Sequence, residues 1–388
     1  AARRRPVLPL RRSMSITLVL LSTVARPDCR TAGARRIGTF RTVTVGGDDP
    51  IGSAHARHDA AVPIDPIIRW GIAGPGAIAH RFAADMELVD SGKMVAVASR
   101  SKDRADAFAD RYDIPARYGS YEALAEDRMV DAVYVATPAS RHEQDVMLFL
   151  EADKYVLCEK PFALNAAQGA RMVAAARKRN LFLMEAMWTR FLPSYRRLAE
   201  LIRAKTIGDV LLVEADFGLI VPFDPTSRLF DPAQGGGALL DLGVYPLQLA
   251  SMLLGTPDRV AAVGGVVDTG VDDHMIATLG HPGGALAVAK AALRVPMACT
   301  ARIAGTAGLI EIPAMMHCPT TLNVASNRKI ETLDLGWEGD GIRFQVEAAN
   351  KFIVAGELEH PVMPLDETLS ILATMDEIRA QIGVRYPG

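Results

Sequence analysis

The feature that most restricts the fold of this chain is a glycine-rich turn between an apolar strand and a helical pattern. Residues 67–73 (IIRWGIA) predict a short buried strand, and residues 74–79 (GPGAIA) follow it directly. In this pattern Gly74 permits the tight turn, and Gly76 lets the backbone approach a pyrophosphate at the N-terminus of the next helix. A glycine turn alone is a weak signal, but its place between strand and helix favours a dinucleotide-binding unit.

The segments after this turn alternate between strand and helix. Apolar strands are predicted over residues 94–99, 130–136 and 155–158, with helical patterns over 102–112 and 142–152 between them. Such alternation predicts a parallel, doubly wound sheet, whose ligands bind at the carboxyl ends of the strands. The residues that we expect to contact the dinucleotide at this edge are Gly74, Gly76, Ala77, Ile78, Ser99, Arg100, Thr137, Pro138, His142, Glu159 and Lys160.

The second predicted strand ends in a basic turn, which bears on the choice between NADP and NAD. A site that prefers NAD carries Asp or Glu here to hold the ribose hydroxyls. This chain has Ser99-Arg100-Ser101-Lys102 instead, and a guanidinium with hydroxyls suits a 2′-phosphate. We therefore expect NADP; the alternative is a solvated basic turn, and NAD stays open.

A charged pair followed by proline ends the strand at residues 155–158. The motif Glu159-Lys160-Pro161 stands at the functional edge of the predicted sheet. Proline restricts the residue before it to extended geometry, and a cis bond at this position would fix the direction of the ammonium. Lys160 is therefore a candidate catalytic residue, and a surface ion pair before a helix-starting proline is the alternative.

A second candidate segment spans residues 235–246 (GGGALLDLGVYP). If a helix begins at Ala238, then Asp241 and Tyr245 lie four residues apart on one face. A carboxylate and a phenol could then converge on a cleft. Pro246 is expected to kink the following turn, because it lacks a backbone donor. The alternatives are a core aromatic for Tyr245 and a capping carboxylate for Asp241.

Residues 1–66 stand apart from the rest. Residues 1–41 contain ten arginines and one acidic residue, and Arg11-Arg12 precede a short apolar run at 16–24. That run is too short to span a bilayer, which needs about 20 apolar residues. The first interpretation is a disordered extension or a mis-assigned start, with a cytoplasmic protein. The alternative is a twin-arginine export signal and a periplasmic protein.

Composition excludes several classes of partner. The 388 residues suffice for two ordinary domains, and the net charge of −2 gives no field that would attract nucleic acid. The four cysteines share no metal-ligand spacing, and no His-x-x-x-His pair is present. We therefore expect reduced thiols, no metal, no nucleic acid and no membrane partner.

The fingerprint, the Glu159-Lys160-Pro161 motif and the glycine–Asp241–Tyr245 block together resemble the glucose–fructose oxidoreductase/inositol dehydrogenase (Gfo/Idh/MocA) family. Residues 118–122 (YGSYE), 181–191 (LFLMEAMWTRF) and 269–273 (TGVDD) resemble its dihydrodiol and NADP-dependent D-xylose dehydrogenase branch. The resemblance implies a Rossmann domain over 67–187. It also implies an α+β substrate-binding and dimerisation domain over 188–388, built on a large, mostly antiparallel open sheet. Strand patterns over 210–219, 260–267, 275–279, 286–293 and 301–305 agree.

The same resemblance implies that Lys160 and Tyr245 occupy catalytic positions. We therefore predict an NAD(P)-dependent oxidoreductase that moves hydride between nicotinamide and a secondary alcohol of a sugar, polyol or cyclic trans-diol. Tyr245 would be the general acid/base, and the Lys160 ammonium would lower the pKa of its phenol from about 10. Asp241 would hold a substrate hydroxyl or orient Lys160, and Glu159 would contact the nicotinamide ribose. The expected pocket walls are Trp188, Arg190 and Phe217.

Two other functions remain open on this sequence. One is an exported enzyme of the same family that holds NADP tightly, as the arginine pair at 11–12 would allow. The other is a non-catalytic NADP-binding sensor, which would have no need of Lys160, Asp241 and Tyr245 together. Whichever of these functions holds, we expect the chain to form a homodimer or a larger homo-oligomer.

Overall fold

The computed structural model describes residues 67–387 of the chain. The expectations for residues 1–66, including the export motif at Arg11-Arg12, lie outside the described residues. Cys29 lies there as well, and the three cysteines within the described range, Cys158, Cys299 and Cys318, are free thiols.

A six-stranded parallel sheet forms the first domain, and its spatial order is β3-β2-β1-β4-β5-β6. Its strands are β1 (Ile68–Ala73), β2 (Gly92–Ala98), β3 (Ala116–Tyr118), β4 (Ala132–Val135), β5 (Tyr155–Cys158) and β6 (Leu183–Glu185). The helices between them are α1 (Ala77–Met86), α2 (Lys102–Arg111), α3 (Tyr121–Ala125), α4 (His142–Glu151) and α5 (Ala166–Arg179). This order reverses direction beside β1, which is where doubly wound sheets bind nucleotides.

The strands of this sheet are apolar throughout because both faces are buried. Trp70, Ile72 and Tyr134 point into one core, and Val133 and Val135 point into the other. Phe82 of α1 stacks on Tyr134 of β4 with 4.0 Å between ring centroids. The prediction of a parallel, doubly wound sheet is confirmed.

An eight-stranded sheet forms the second domain, in the order β14-β13-β12-β11-β7-β10-β9-β8. Every neighbouring pair is antiparallel except β7 and β10, which run parallel. The strands are β7 (Val210–Gly218), β8 (Arg259–Val266), β9 (Asp272–Gly280), β10 (Leu286–Ala292), β11 (Ala301–Gly305), β12 (Gly308–Ile312), β13 (Thr321–Ser326) and β14 (Lys329–Asp334). All five strands predicted in this half are confirmed, and so is the mostly antiparallel sheet.

Four helices complete the described chain: α6 (Pro193–Arg203), α7 (Val244–Leu254), α8 (Arg343–Val354) and α9 (Leu365–Ile382). Helix α7 packs on β7 and β10 at one face of the large sheet. Helix α9 packs on β8 of that sheet and also on α5 of the first domain. The last helix therefore contacts both domains.

The helix is distorted in the turn before Pro246, and not in the turn after it as expected. A π-helical turn over Leu239–Gly243 precedes α7, and Pro246 is the third residue of α7 itself. Proline offers no backbone N–H to the carbonyls of the preceding turn, and a widened π-helical turn accommodates that loss. The wide turn lies before the proline, and Asp241 lies within it.

Among residues 67–387, one helical stretch, Pro232–Leu254, is long and apolar enough by length and composition to cross a membrane. Its most apolar window is 78% buried inside the protein. That burial is typical of a core helix, and it agrees with the packing of α7 against the large sheet.

Candidate active site

A cleft of about 1100 Å³ opens at the carboxyl edge of the parallel sheet and extends to β7 and α7. All eleven predicted dinucleotide contacts line this cleft, from Gly74 to Lys160. Of the other predicted site residues, Asp241, Tyr245, Trp188 and Phe217 line it too. The structure therefore brings together the residues that the sequence placed in two separate segments.

The glycine turn between β1 and α1 has the shape that a diphosphate needs. Gly74 has φ +93°, and a side chain there would meet the backbone of Ala136 at 3.0 Å. A side chain on Gly76 would project into open space, with no atom within 4 Å. Helix α1 starts at Ala77 without a side-chain cap, so its first N–H groups are free to bind an anion.

A buried hydroxyl beside this turn also lacks a partner. Thr137 Oγ1 is shielded from solvent and forms no hydrogen bond with the described residues. A buried polar group of this kind is normally satisfied, because leaving it unpaired costs about 1–3 kcal/mol. Together with the open turn at Gly76, it shows that the residues present fit a bound dinucleotide.

Basic side chains follow the end of β2, at the far end of the cleft. Ser99, Arg100 and Arg104 all line it. Arg104 also donates a hydrogen bond to the carbonyl of Pro75 in the glycine turn, at 3.3 Å. Arg100 was predicted from the sequence, whereas Arg104, which lies in the first turn of α2, was not.

We expect the variant Arg100→Asp to lose its preference for NADP. A carboxylate at this position repels a 2′-phosphate and accepts hydrogen bonds from ribose hydroxyls. Fluorescence titration should show NADP affinity falling by about a hundredfold, while NAD affinity holds or improves. The control Arg128→Asp makes the same charge change outside the cleft-lining residues, and unchanged selectivity in Arg100→Asp would contradict the assignment.

His142 is fully buried between two loops of the site. Its Nδ1 lies 2.9 Å from the carbonyl oxygen of Pro161, and its Nε2 lies 2.9 Å from that of Thr137. Burial outweighs these two carbonyls and lowers the pKa of His142, so the ring is neutral and one nitrogen donates. His142 thus links the turn after β4 to the turn after β5.

Glu159 is buried at the end of β5 and held by two donors. The hydroxyl of Tyr134 donates to Oε1, and the backbone N–H of Lys160 donates to Oε2 at 3.1 Å. Burial raises the pKa of Glu159 despite the nearby Lys160 ammonium. The carboxyl is therefore fixed in position beside Lys160.

Lys160 precedes a cis peptide bond to Pro161, and its side chain crosses to the second domain. Its Nζ donates to the backbone carbonyl of Asp241 at 2.8 Å and lies 3.6 Å from Oδ1 of the same residue. Burial alone would lower the pKa of Lys160, but the carboxylate of Asp241 and the other nearby acids outweigh it and leave the pKa raised. Lys160 is therefore an ammonium at neutral pH.

The phenol of Tyr245 lies beside this ammonium, as the family resemblance implied. Lys160 Nζ is 5.1 Å from the centre of the Tyr245 ring, and Trp188 Nε1 donates to the phenol oxygen at 3.2 Å. Burial raises the pKa of Tyr245, and Lys160 offsets part of that rise. The expectation that Lys160 brings the pKa below its usual value of about 10 is therefore wrong for this state of the protein, because burial is the larger effect. Tyr245 is a protonated acid at neutral pH.

The protonation of Tyr245 makes the two directions of the reaction differ in their pH dependence. Reduction of a carbonyl needs the neutral phenol, whereas oxidation of an alcohol needs the phenolate. We expect oxidation to accelerate by about tenfold per pH unit between pH 7 and 9, while reduction stays nearly flat. Initial rates in both directions across this range would show it, and an oxidation rate independent of pH would contradict the role of Tyr245.

Arg190 does not form a wall of the pocket, contrary to expectation. It is buried, with its Nε on the side-chain oxygen of Gln248 at 2.8 Å and its Nη2 on Glu367 at 2.7 Å. It also donates to the carbonyls of Gln248 and Val362. These bonds tie the turn at Trp188–Phe191 to α7 and to the start of α9, so Arg190 holds structure together.

The sequence reasoning also missed several cleft residues. His317 lies in the loop between β12 and β13, and its ring stacks on Phe217 with 4.3 Å between centroids. Burial lowers the pKa of His317 to about 3, so the ring is neutral. Arg81 lies over the Trp188 ring at 5.2 Å, and Arg228 reaches Asp241. None of the three belongs to a local motif.

Two family profiles match this chain. The first is described as an oxidoreductase family with an NAD-binding Rossmann fold and covers residues 68–187. The second is the GFO/IDH/MocA C-terminal domain and covers residues 195–311. The chain belongs to the Gfo/Idh/MocA family. As a member, it is an NAD(P)-dependent oxidoreductase with the two-domain fold of that family.

Curated members of the Gfo/Idh/MocA family resemble the chain over most of its length. The human trans-1,2-dihydrobenzene-1,2-diol dehydrogenase is 39% identical over 330 residues, which is 82% of this chain and 98% of the relative. The enzyme of the same name from Danio rerio is 39% identical over 332 residues, with the same coverage. The branch predicted from the sequence is therefore confirmed.

Solved structures of the Gfo/Idh/MocA family superpose well on the chain. The 3-ketoreductase KijD10 from Actinomadura kijaniata, in complex with NADP and TDP-benzene, has a TM-score of 0.74 and 29% identity, covering 81% of this chain and 98% of its own. The aldose–aldose oxidoreductase from Caulobacter crescentus, complexed with glycerol, has a TM-score of 0.75 and 26% identity, covering 81% and 97%.

Proposed function

We propose that this chain interconverts a secondary alcohol and a ketone on a ring, in a cyclic trans-diol or a sugar, with NADP as its cofactor. The observation that carries the proposal is the convergence of Lys160 and Tyr245 at one end of a cleft whose other end has an anion-binding turn. A lysine ammonium and a protonated phenol, side by side, are the groups that a carbonyl or alkoxide oxygen requires.

The proton is managed by the two side chains. In reduction, the Tyr245 hydroxyl donates its proton to the substrate oxygen while that oxygen gains negative charge. Lys160 stabilises this charge and then the phenolate that remains. In oxidation the same phenolate removes the hydroxyl proton. A nicotinamide cofactor held along the cleft from Gly74 to Lys160 would supply or accept the hydride.

Flat side chains beside these groups support a ring-shaped substrate. Trp188, Phe217 and His317 pack around Tyr245, with Phe217 and His317 each 5.5 Å from the Tyr245 ring centre. Aromatic faces bind cyclohexadiene or pyranose rings well. The relatives named as dihydrodiol dehydrogenases support a cyclic diol, and the aldose–aldose oxidoreductase supports a sugar.

A substrate panel tests this proposal. The panel contains trans-1,2-dihydrobenzene-1,2-diol, D-xylose, D-glucose and myo-inositol, each with NADP⁺ and with NAD⁺ at mildly alkaline pH, followed by nicotinamide absorbance. We expect turnover of the diol or of an aldopyranose, faster with NADP⁺. If NADP binds by fluorescence titration but no member turns over in either direction, a non-catalytic sensor is favoured instead.

The outer face of the eight-stranded sheet supports a second proposal, that two copies of the chain associate through it. Six apolar residues face one another across six neighbouring strands. We call them the apolar row: Leu286, Leu212, Ala304, Leu309, Ala325 and Ile330. Ile330 is 80% exposed and Leu286 is 50% exposed. The helices that contact this sheet, α7 among them, pack on its opposite face, where Val213, Ala215 and Ile303 are buried. An extended apolar row on an open sheet is typical of an interface.

We expect the double variant Leu212→Glu/Leu309→Glu to dissociate such a dimer, because it places two charges at the centre of the apolar row. Light scattering after gel filtration should show the mass of two chains for the unaltered protein and of one chain for the variant. The control Met129→Glu alters an exposed apolar side chain of the first domain. A single-chain mass for the unaltered protein at micromolar concentration would contradict the proposal.

A further inference from the structure

Asp241 stands between two cations in the candidate active site. Its Oδ1 lies 3.6 Å from Lys160 Nζ and 3.3 Å from Arg228 Nη1, and Arg228 Nη2 is 3.4 Å from the same oxygen. Lys160 and Asp241 have 14% and 17% of their side chains exposed, whereas Arg228 is 60% exposed at the mouth of the cleft. One carboxylate oxygen is thus shared by a buried ammonium and a peripheral guanidinium.

The charges of this cluster decide how strongly Lys160 acts on Tyr245. A carboxylate paired with Lys160 alone would cancel most of the ammonium's field at the phenol, because the pair would have no net charge. With Arg228 present, the three groups carry one net positive charge. Oδ1 of Asp241 lies 3.3 Å from Arg228 and 3.6 Å from Lys160, so the carboxylate is slightly nearer to the guanidinium than to the ammonium.

We propose that Arg228 is a positioning residue, which keeps Lys160 electrostatically active toward Tyr245 by sharing the carboxylate of Asp241. The inference rests on the proposed function, since it concerns the same proton transfer. Arginine suits this task because it stays charged at every working pH. Arg228 lies on the loop between β7 and the π-helical turn, at the opening of the site. Within the described chain it forms no hydrogen bond or ion pair with the Lys160 side chain or with Tyr245.

The groups that face Tyr245 limit what else could change its ionisation. Those that bear or could bear charge are Lys160, Glu159 and Asp241, together with the phenols of Tyr134 and Tyr195, while Trp188 donates a hydrogen bond to the phenol oxygen. His317 also packs on the ring, but its pKa is lowered to about 3 by burial and by Arg81 and Lys160, so it stays neutral. Because Arg228 contacts Asp241, and Asp241 contacts Lys160, we expect a change at Arg228 to reach Tyr245 mainly through these two residues.

The variant Arg228→Ala tests this inference. Without the guanidinium, Asp241 pairs with Lys160 alone and the phenolate of Tyr245 is less stabilised. We expect the pH profile of alcohol oxidation to move toward alkaline pH by about half to one unit, which corresponds to a rate at pH 7 lower by about three- to tenfold. In Arg228→Lys the pH profile should lie close to that of the unaltered protein, because lysine keeps the positive charge.

The control is Arg197→Ala, which removes an exposed arginine paired with Glu200 at 3.0 Å outside the cleft; its profile should overlie that of the unaltered protein. If the pH profile of Arg228→Ala also coincides with that of the unaltered protein, the inference is overturned. A loss that is equal at every pH and is not recovered by Arg228→Lys would also overturn it, as would a rise in KM alone, which would make Arg228 a substrate contact.

A second measurement needs no substrate. The ultraviolet absorbance of the NADP⁺-bound protein and of its Tyr245→Phe variant is recorded during a pH titration. Subtracting the second curve from the first leaves the absorbance change caused by ionisation of Tyr245. The inference expects this transition to move to higher pH in an Arg228→Ala background, and an unmoved transition contradicts it. If the chain proved inactive on every substrate, the proposed function would fail while this measurement still decided the role of Arg228.

Discussion

Replacing Tyr245 with phenylalanine is expected to lower turnover by about 10²–10⁴-fold, the range for loss of a positioned general acid or base. The change removes one oxygen and leaves the ring, so its packing against Phe217 and His317 remains. The lost hydrogen bond from Trp188 is the main structural cost, about 1 kcal/mol. NADP affinity should stay within about twofold, because the phosphate turn is untouched.

The matched control for this variant is Tyr195→Phe. Tyr195 is also a buried tyrosine, and its hydroxyl donates to the carbonyl of Met316 at 2.8 Å, away from the cleft lining. Both variants lose one phenolic hydrogen bond, but only the change at Tyr245 should abolish turnover. Near-normal steady-state kinetics in Tyr245→Phe would mean that another group transfers the proton.

Replacing Lys160 with methionine is the second change for which we expect a loss of several orders of magnitude. At the 5.1 Å between the ammonium and the Tyr245 ring centre, a unit charge interacts with another by about 3 kcal/mol at an effective dielectric constant near 20. Removal of the charge therefore costs about 10²-fold through the phenolate alone. Loss of its stabilisation of the substrate oxygen adds to this, and about 10³-fold is expected in total.

The chain offers a lysine in the same domain as a control for this variant. Lys154 is largely buried, and its ammonium donates to the carbonyls of Asp127 and Val130 at 2.7 and 2.9 Å, outside the cleft lining. Lys154→Met should lower the melting temperature while leaving kcat per folded molecule unchanged. Lys160→Met should instead lower kcat and change the melting temperature little. A Lys160→Met enzyme with ordinary turnover would refute the role given to the ammonium.

The parts of the site that the sequence predicted are those encoded by local pattern. The glycine turn, the Glu159-Lys160-Pro161 motif and the segment around Tyr245 each combine a recognisable composition with a fixed place relative to a strand or helix. Parallel strands bring their carboxyl ends to one edge, so the first two fall together without further information. Their meeting with Tyr245 followed only from the family resemblance.

The prediction of pocket-lining residues failed at Arg190, because side chains that are close in sequence can point in different directions. Trp188 and Arg190 are two residues apart in a 3₁₀ turn, where two residues turn the chain by about 240°. Trp188 therefore faces the cleft, while Arg190 faces the interior beneath α7. A local pattern cannot state which side of such a turn is buried, because that depends on what packs against it.

Other residues of the site depend wholly on tertiary contacts. His317 and Arg228 lie on loops of the second domain, and only the packing of those loops against Phe217 and Asp241 brings them to the cleft. The pKa of Tyr245 also depends on tertiary contacts. The sequence showed the ammonium that favours phenolate, but the extent of burial that opposes it depends on every surrounding side chain.

The contact of α9 with both domains has a consequence for how the nascent polypeptide matures. Leu365 and Leu372 of this last helix complete the apolar core of the first domain around Phe162 and Met172. Gly169 of α5 lets Leu372 come close, since a side chain there would meet Leu372 at 2.7 Å. The ribosome synthesises the Rossmann half before α9, so this half can complete its apolar core only after the substrate-binding half has also been synthesised.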